Sequence, residues 1–246
     1  MDKYSLCVSR HFYTQMRENV RGKGHMEKIF DPDNAFWSVI RKILYLIELS
    51  LAWFVCSLPV ITVGTSTSAL YYATVKVVRK ERSYPLREFW KAWKLNIKYG
   101  TVLTVILAAV SGMALFADFV IGVSFLQFNN LSDCIFTVLF LVKDFILLGV
   151  ICHIFPFLSR FDMPVFKLHE TTVFLCIGNA VRTLAVSIVV ILTALIIKEE
   201  VGFVIILPAL CCLVVSFLLE PMYQKYYVEK DINGENGIAD AWYAEK

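Results

Sequence analysis

Long apolar runs separated by short polar segments dominate the chain. Five runs come near or exceed the roughly 20 apolar residues that a helix needs to cross about 30 Å of hydrocarbon. They cover residues 43–58, 101–119, 134–158, 184–197 and 201–219. Only three polar residues separate the last two runs, which favours a tight helical hairpin. The pattern predicts an all-α polytopic bundle of transmembrane helices.

A sixth, weaker candidate covers residues 60–78, VITVGTSTSALYYATVKVV, and carries six hydroxyl side chains. Hydroxyls can bond back to the helix backbone, so such a segment is tolerated in lipid when it packs on neighbouring helices. Gly64 and Ser68 form a small-xxx-small pair that permits close helix approach. Two interpretations remain open: a sixth span, or a re-entrant or interfacial helix that leaves five spans.

Composition agrees with a membrane protein. Hydrophobic residues make up 58% of the 246 residues and charged ones 18%, against about 45–50% and about 25% in soluble domains. A net charge of +3 is too small for a polyanion binder. A soluble enzyme, a disordered chain and a nucleic-acid-binding protein are therefore excluded, and the lipid bilayer is the expected environment.

The basic residues favour six spans. Eight Lys and Arg precede residue 43, eight lie in 76–98, three in 160–182 and three after 220. Six spans place these 22 of the 24 basic residues on one side of the membrane. Because basic residues concentrate on the cytoplasmic side, both termini of this multi-pass cell-membrane protein are expected in the cytoplasm.

The segment between the second and third spans has the pattern of an amphipathic helix. Pro85 suits a first helical turn, and apolar side chains recur beyond it with basic side chains largely off their stripe. A helix of this kind lies on an anionic leaflet; docking to a partner protein is the alternative. The apolar positions are Leu86, Phe89, Trp90, Trp93 and Ile97, and the basic ones are Arg87, Lys91, Lys94 and Lys98.

Four ionisable residues fall inside or near the ends of apolar runs: Glu48, Asp118, Lys143 and Asp144. Charges at membrane depth are costly and commonly functional, so a polar pathway with Glu48 facing Lys143 is one hypothesis. The alternative is an intramembrane ion pair that only fixes helix packing. His153 follows Cys152 but has no third ligand at helical spacing, so no metal site is predicted. No catalytic motif or cofactor-binding motif is present, and neither an enzyme activity nor a cofactor is expected.

The run 52–72, AWFVCSLPVITVGTSTSALYY, resembles the signature of the YesL-like family of bacterial membrane proteins. That signature is a hydrophobic helix ending in Cys-Ser-Leu-Pro, then a hydroxyl-rich Thr-x-Gly segment and Ala-Leu-Tyr. Three further segments also resemble the family: residues 34–37 (NAFW), 87–98 and 157–162 (FLSRFD). The signature positions are Cys56, Ser57, Leu58, Pro59, Thr62, Gly64, Ser68, Ala69, Leu70 and Tyr71.

The resemblance implies an integral membrane domain over residues 26–228 and a cytoplasmic polar tail over 229–246. Residues 1–25 are expected to be a disordered tail, and translation is expected to start at Met26. Family members are often encoded beside carbohydrate uptake genes, which implies a non-enzymatic accessory protein that works with carbohydrate permease subunits. A small-solute, sugar-related transporter in its own right is the alternative.

Overall fold

The computed structural model describes residues 35–81, 83–121, 131–161 and 163–232. The chain divides into two compact units, Met1–Leu44 and Tyr45–Lys246. The described part of the first unit is the start of one helix, and the packed core belongs to the second unit. The predicted tail over 1–25 and most of the predicted tail over 229–246 lie outside the described residues.

The described residues form seven α-helices and no β-sheet. A 3-10 turn (Val60–Thr62) precedes the second helix, a π-helical turn (Thr74–Arg79) follows it, and a 3-10 turn (Val201–Ile205) precedes the last. The all-α prediction is confirmed for this part of the chain. The helices are α1 Ala35–Ser57, α2 Val63–Ala73, α3 Pro85–Ile121, α4 Leu131–Leu158, α5 Val165–Gly178, α6 Ala180–Glu199 and α7 Leu207–Ile232.

Among the helices of the described residues, four are long and apolar enough to span a bilayer: α3, α4, α6 and α7. The chain is therefore a multi-pass membrane protein, but the predicted count of six spans is not confirmed. Helix α1 carries Arg41, Lys42 and Glu48 among its apolar residues. The hydroxyl-rich segment is divided between the 3-10 turn, an 11-residue α2 and the π-helical turn.

The bundle buries several hydroxyl side chains within its apolar core and exposes many large apolar side chains. Hydroxyl side chains of α2, among them Thr65, Ser66 and Ser68, are fully buried, whereas large apolar side chains of α3, such as Phe116 and Phe119, are exposed. The apolar windows of α3, α4 and α6 are only 11–17% buried, while that of α7 is 44% buried. Helices α2 and α7 therefore lie at the centre of the bundle, and the outer faces of α3, α4 and α6 suit lipid.

Helix α3 runs without a break for 37 residues, about 55 Å at 1.5 Å per residue. The predicted amphipathic segment is helical, but it shares this one helix with the apolar run that follows it. Its buried face is also displaced from the predicted stripe. Phe89 and Ala92 are buried, whereas Leu86 is 39% and Trp90 44% exposed. The buried face of this segment therefore centres on Phe89 and Ala92. Its position on a membrane surface stays a prediction.

Glycines allow α2 to approach its neighbours closely, as the Gly64–Ser68 pair predicts. A Cβ added at Gly64 would overlap Thr104 of α3 and Phe155 of α4. A Cβ at Gly100 of α3 would meet the backbone of Thr65 at 3.0 Å. Small residues on both helices therefore bring α2 into backbone contact with α3, a packing mode that suits helices in lipid.

Candidate functional site

A buried ion pair joins the turn that follows α4 to α7, at the end of the bundle where the apolar runs of both helices end. Arg160 Nη2 donates to Glu220 Oε1 at 3.0 Å, and the Tyr71 hydroxyl donates to the same oxygen at 2.9 Å. The Arg160 and Glu220 side chains are 2% and 3% exposed. The guanidinium also lies 5.6 Å from the Tyr71 ring centroid and 5.8 Å from that of Tyr72, a cation–π distance.

The end of α4 sets the position of Arg160. The chain leaves the helix at Leu158 in a turn in which the Arg160 amide donates to the Phe157 carbonyl at 2.9 Å. Phe157 stacks on Phe161 with ring centroids 4.3 Å apart, and Tyr223 of α7 packs edge-on against Phe157. All three rings are buried, so the turn that carries Arg160 is packed into the core of the bundle.

A second charge pair lies where the π-helical turn meets the start of α3. Lys76 Nζ donates to Glu88 Oε2 at 2.8 Å and lies 3.0 Å from the Tyr72 hydroxyl. The Lys76 and Glu88 side chains are 12% and 8% exposed. Nearby, Arg79 Nη1 donates to the Ser216 carbonyl of α7 at 2.9 Å. Three basic side chains thus tie α2 and its π-helical turn, α3, α4 and α7 together at one end of the bundle.

A polar contact marks the break between α5 and α6. Asn179 adopts φ −126° and ψ 44°, so the two helices are not continuous. The hydroxyl of Thr183, in the first turn of α6, lies 3.1 Å from His153 Nε2 of α4 and 3.1 Å from the Cys176 carbonyl of α5. His153 is 1% exposed, and its Nδ1 has no hydrogen-bond partner among the described residues.

The intramembrane residues predicted from sequence form a different arrangement. Lys143 Nζ lies 2.6 Å from Asp118 Oδ1 and 3.1 Å from Asp144 Oδ1. Lys143 thus pairs with these two carboxylates and not with Glu48, because Lys143 and Asp118 lie on facing parts of α4 and α3. Glu48, half-buried on α1, makes no ion pair or hydrogen bond within the described ranges.

The signature residues that carry the family resemblance close the connection between α1 and α2. The Thr62 hydroxyl lies 2.7 Å from the Cys56 carbonyl and 2.8 Å from the Pro59 carbonyl. Ser57 ends α1, and Leu58, which is 67% exposed, and Pro59 form the connection to the 3-10 turn. The positions on α2 are buried: Gly64, Ser68, Ala69, Leu70 and Tyr71. Of the ten, Tyr71 alone reaches the buried ion pair.

Sequence reasoning missed the Arg160–Glu220 pair. Arg160 counts as one cytoplasmic basic residue in the sequence pattern, and Glu220 follows directly after the last apolar run. The available signal was FLSRFD, residues 157–162, which the family resemblance already singles out. Among the described residues, no group of three or more His, Cys, Asp or Glu is placed to hold a metal ion.

A family model described as "Protein of unknown function, DUF624" matches residues 46–119. The match contains the α1–α2 connection, all of α2 and most of α3. This part of the chain is similar to an uncharacterised family, and the similarity implies no activity. No curated protein and no solved structure matches the chain.

Proposed function

We propose that the protein is a non-enzymatic accessory protein of the cell membrane that assists a carbohydrate uptake system, with both termini in the cytoplasm. The observation that carries the non-enzymatic, accessory part is the pairing of buried charges with one another. Arg160 with Glu220 and Lys76 with Glu88 form fixed contacts between helices. Each pair joins two segments of the bundle, and removal of one partner would leave a buried charge without compensation, so these charges support a role in helix packing.

The carbohydrate link rests on the YesL-like resemblance, and the outer surface of the bundle supports a partner in the same membrane. Helices α3, α4 and α6 expose large apolar side chains, among them Met113, Phe136 and Leu192. Such faces are covered either by lipid or by helices of another membrane protein. A permease subunit is the partner that the resemblance implies.

A crosslinked pull-down from membranes of the native host grown on complex glycans tests the proposal. We expect carbohydrate permease subunits to be recovered at near-stoichiometric yield with the tagged protein. A tagged multi-pass protein of unrelated family, expressed at the same level, controls for non-specific capture. A partner-free protein that takes up sugars in vesicles would contradict the accessory function.

A second candidate is a small-solute transporter, and the break between α5 and α6 is the observation that favours it. Discontinuous helices line binding sites in many transporters, and here the break lies beside buried His153. In this case, purified protein in vesicles takes up solute, and His153→Phe stops uptake while the protein remains folded. Replacement of Glu48 or Lys143 would then also abolish uptake at an unchanged protein level.

A further inference from the structure

A cavity of about 320 Å³ lies between α2, α4, α6 and α7. Three of these four helices are candidate membrane spans. Leu70 and Tyr71 of α2 line the cavity on its central side, and each is only 1% exposed. Ala194 of α6 lines it as well and is exposed. The cavity therefore reaches from the outer, apolar side of α6 to the central helix.

The walls of the cavity offer almost no hydrogen-bonding capacity. The Thr67 hydroxyl accepts from Trp53 Nε1 at 3.2 Å and donates to the Val63 carbonyl at 2.8 Å. The Thr193 hydroxyl donates to the Val189 carbonyl one turn back on its own helix at 2.8 Å. The other wall residues are apolar side chains, tyrosine and cysteines, and cysteine behaves as a small hydrophobe. A sugar or an ion would lose its hydration here without replacement.

An apolar space of this size does not suit water either. Apolar cavities of about 150 Å³ stay dry and take up small hydrocarbons, and this one is roughly twice that volume. If the cavity were empty, its wall residues would lack the dispersion contacts that a close-packed interior makes. Where α6 faces the bilayer, the molecules at the opening are linear hydrocarbon chains.

We infer that the cavity binds one acyl chain of a bilayer phospholipid, with the headgroup remaining outside the bundle. The apolar walls, the volume and the position of Ala194 at the exposed edge together select a flexible linear chain. Bound there, the chain would fill the space between α2 and α6 and would contact Leu70 and Tyr71. This inference is independent of the accessory function and would hold for a transporter as well.

Photocrosslinking tests it on the full-length protein in nanodiscs of phosphatidylethanolamine and phosphatidylglycerol. A small share of the phosphatidylethanolamine carries a diazirine on one acyl chain, and the labelled residues are mapped by mass spectrometry. Outward-facing residues such as Leu195 and Phe217 are labelled in any arrangement because bulk lipid reaches them. Label at Leu70 or Tyr71 requires a chain inside the cavity, since bulk lipid does not reach residues that are 1% exposed.

A cavity-filling variant and a matched control sharpen the test. Ala194→Phe places a ring in the cavity mouth, whereas Ala109→Phe adds the same ring to an exposed alanine of α3 away from the cavity. We expect Ala194→Phe to lower the label at Leu70 and Tyr71 about tenfold, the change that ~1.4 kcal/mol of lost binding produces. Ala109→Phe should leave that label unchanged.

Two results would overturn the inference. One is a wild-type label confined to outward-facing residues, which would also be the result if a second protein or a compact aromatic molecule filled the cavity. The other is label at Leu70 that persists unchanged in Ala194→Phe and in a second cavity-filling variant, Val190→Phe. If both variants fail to fold, the set of labelled residues in the wild-type protein tests the inference alone.

Discussion

The Arg160–Glu220 group and the Lys143 group, two of the charged groups among the apolar helices, differ in how far they are removed from the surface. In the Arg160–Glu220 group both side chains are at most 3% exposed, and Tyr71 supplies a further hydrogen bond to Glu220. In the Lys143 group, Lys143 and Asp144 are 36% and 37% exposed, and Asp118 is 12% exposed. The short ion-pair distances in the two groups are similar, so distance alone does not distinguish them.

The difference in burial determines what each group does. Removal of one partner from the Arg160–Glu220 pair leaves a charge inside the bundle without compensation, which is strongly destabilising. Lys143 has a long, flexible side chain and two carboxylate partners, one of them its neighbour in sequence. A long basic side chain of this kind can redirect its charged end toward a polar interface. The first group therefore fixes the fold, and the second is adaptable.

Glu220→Ala is the variant with the largest expected effect. It leaves Arg160 buried, takes away the acceptor of the Tyr71 hydroxyl, and removes a contact between α4 and α7. We expect the free energy of unfolding to fall by about 3–5 kcal/mol, the usual cost of an uncompensated buried charge. Thermal unfolding of the purified protein in detergent and its level in membranes measure this loss.

The double variant Arg160→Met/Glu220→Leu is the matched control. It removes both charges and keeps side chains of similar volume, and such replacements are often neutral or stabilising. We expect its unfolding temperature to return close to the wild-type value. A Glu220→Ala protein as stable as wild type would show that the pair is solvated and that the two charged groups do not differ.

Tyr71→Phe should have an intermediate effect. It removes one hydrogen bond to a buried carboxylate while keeping the aromatic ring over Arg160. Loss of a buried hydrogen bond to a charged group costs about 1.5–3 kcal/mol. Tyr99→Phe makes the same chemical change at a position that is 48% exposed, and we expect no measurable shift there. Equal shifts in the two variants would contradict a specific role for the Tyr71 hydroxyl.

The sequence pattern predicts the helical class and most of the apolar helices, because 20-residue apolar runs have few alternatives to a helix in lipid. The runs 101–119 and 134–158 correspond to parts of α3 and α4. The sequence pattern does not predict that α3 begins at Pro85 and continues unbroken through Gly100. That continuity depends on tertiary contact with α2, in which Gly100 packs on Thr65.

Of the two charged groups, the sequence reveals the members of one and not those of the other. Lys143 and Asp144 stand out in the sequence because they interrupt an apolar run, and the structure does pair them, although with Asp118 as the third member. Arg160 and Glu220 are 60 residues apart and lie at the ends of apolar runs. Residues at such ends usually face water, so only the packing of α4 on α7 reveals that these two are buried.

Lys143→Gln should destabilise the protein less than Glu220→Ala does. The variant leaves Asp118 and Asp144 without their cation, but Asp144 is already one-third exposed and retains access to solvent. We expect a small decrease in unfolding temperature, below that of Tyr71→Phe, measured under the same conditions. Asp118→Asn serves as a companion variant, since Lys143 keeps Asp144 as a partner in it. A loss as large as that of Glu220→Ala would remove the distinction between the two groups.

Glu48→Gln should have the smallest effect of all on stability. Glu48 is half-buried on α1 and has no ion pair or hydrogen bond within the described part of the chain, so the change removes neither. We expect the free energy of unfolding to stay within ~0.5 kcal/mol of the wild-type value. Glu88→Gln is the matched control, because Glu88 is paired with Lys76 at 2.8 Å, and its replacement should lower the unfolding temperature clearly.

An unchanged stability would make Glu48→Gln a clean functional probe. In a transporter, a carboxylate that does not contribute to packing is retained for contact with solute or ion, so uptake in vesicles would fall while the unfolding temperature stays constant. In an accessory protein, recovery of the permease subunits in the pull-down would be the same for Glu48→Gln as for wild type. A large loss of stability in Glu48→Gln would instead place Glu48 with the packing charges, beside Arg160 and Glu220.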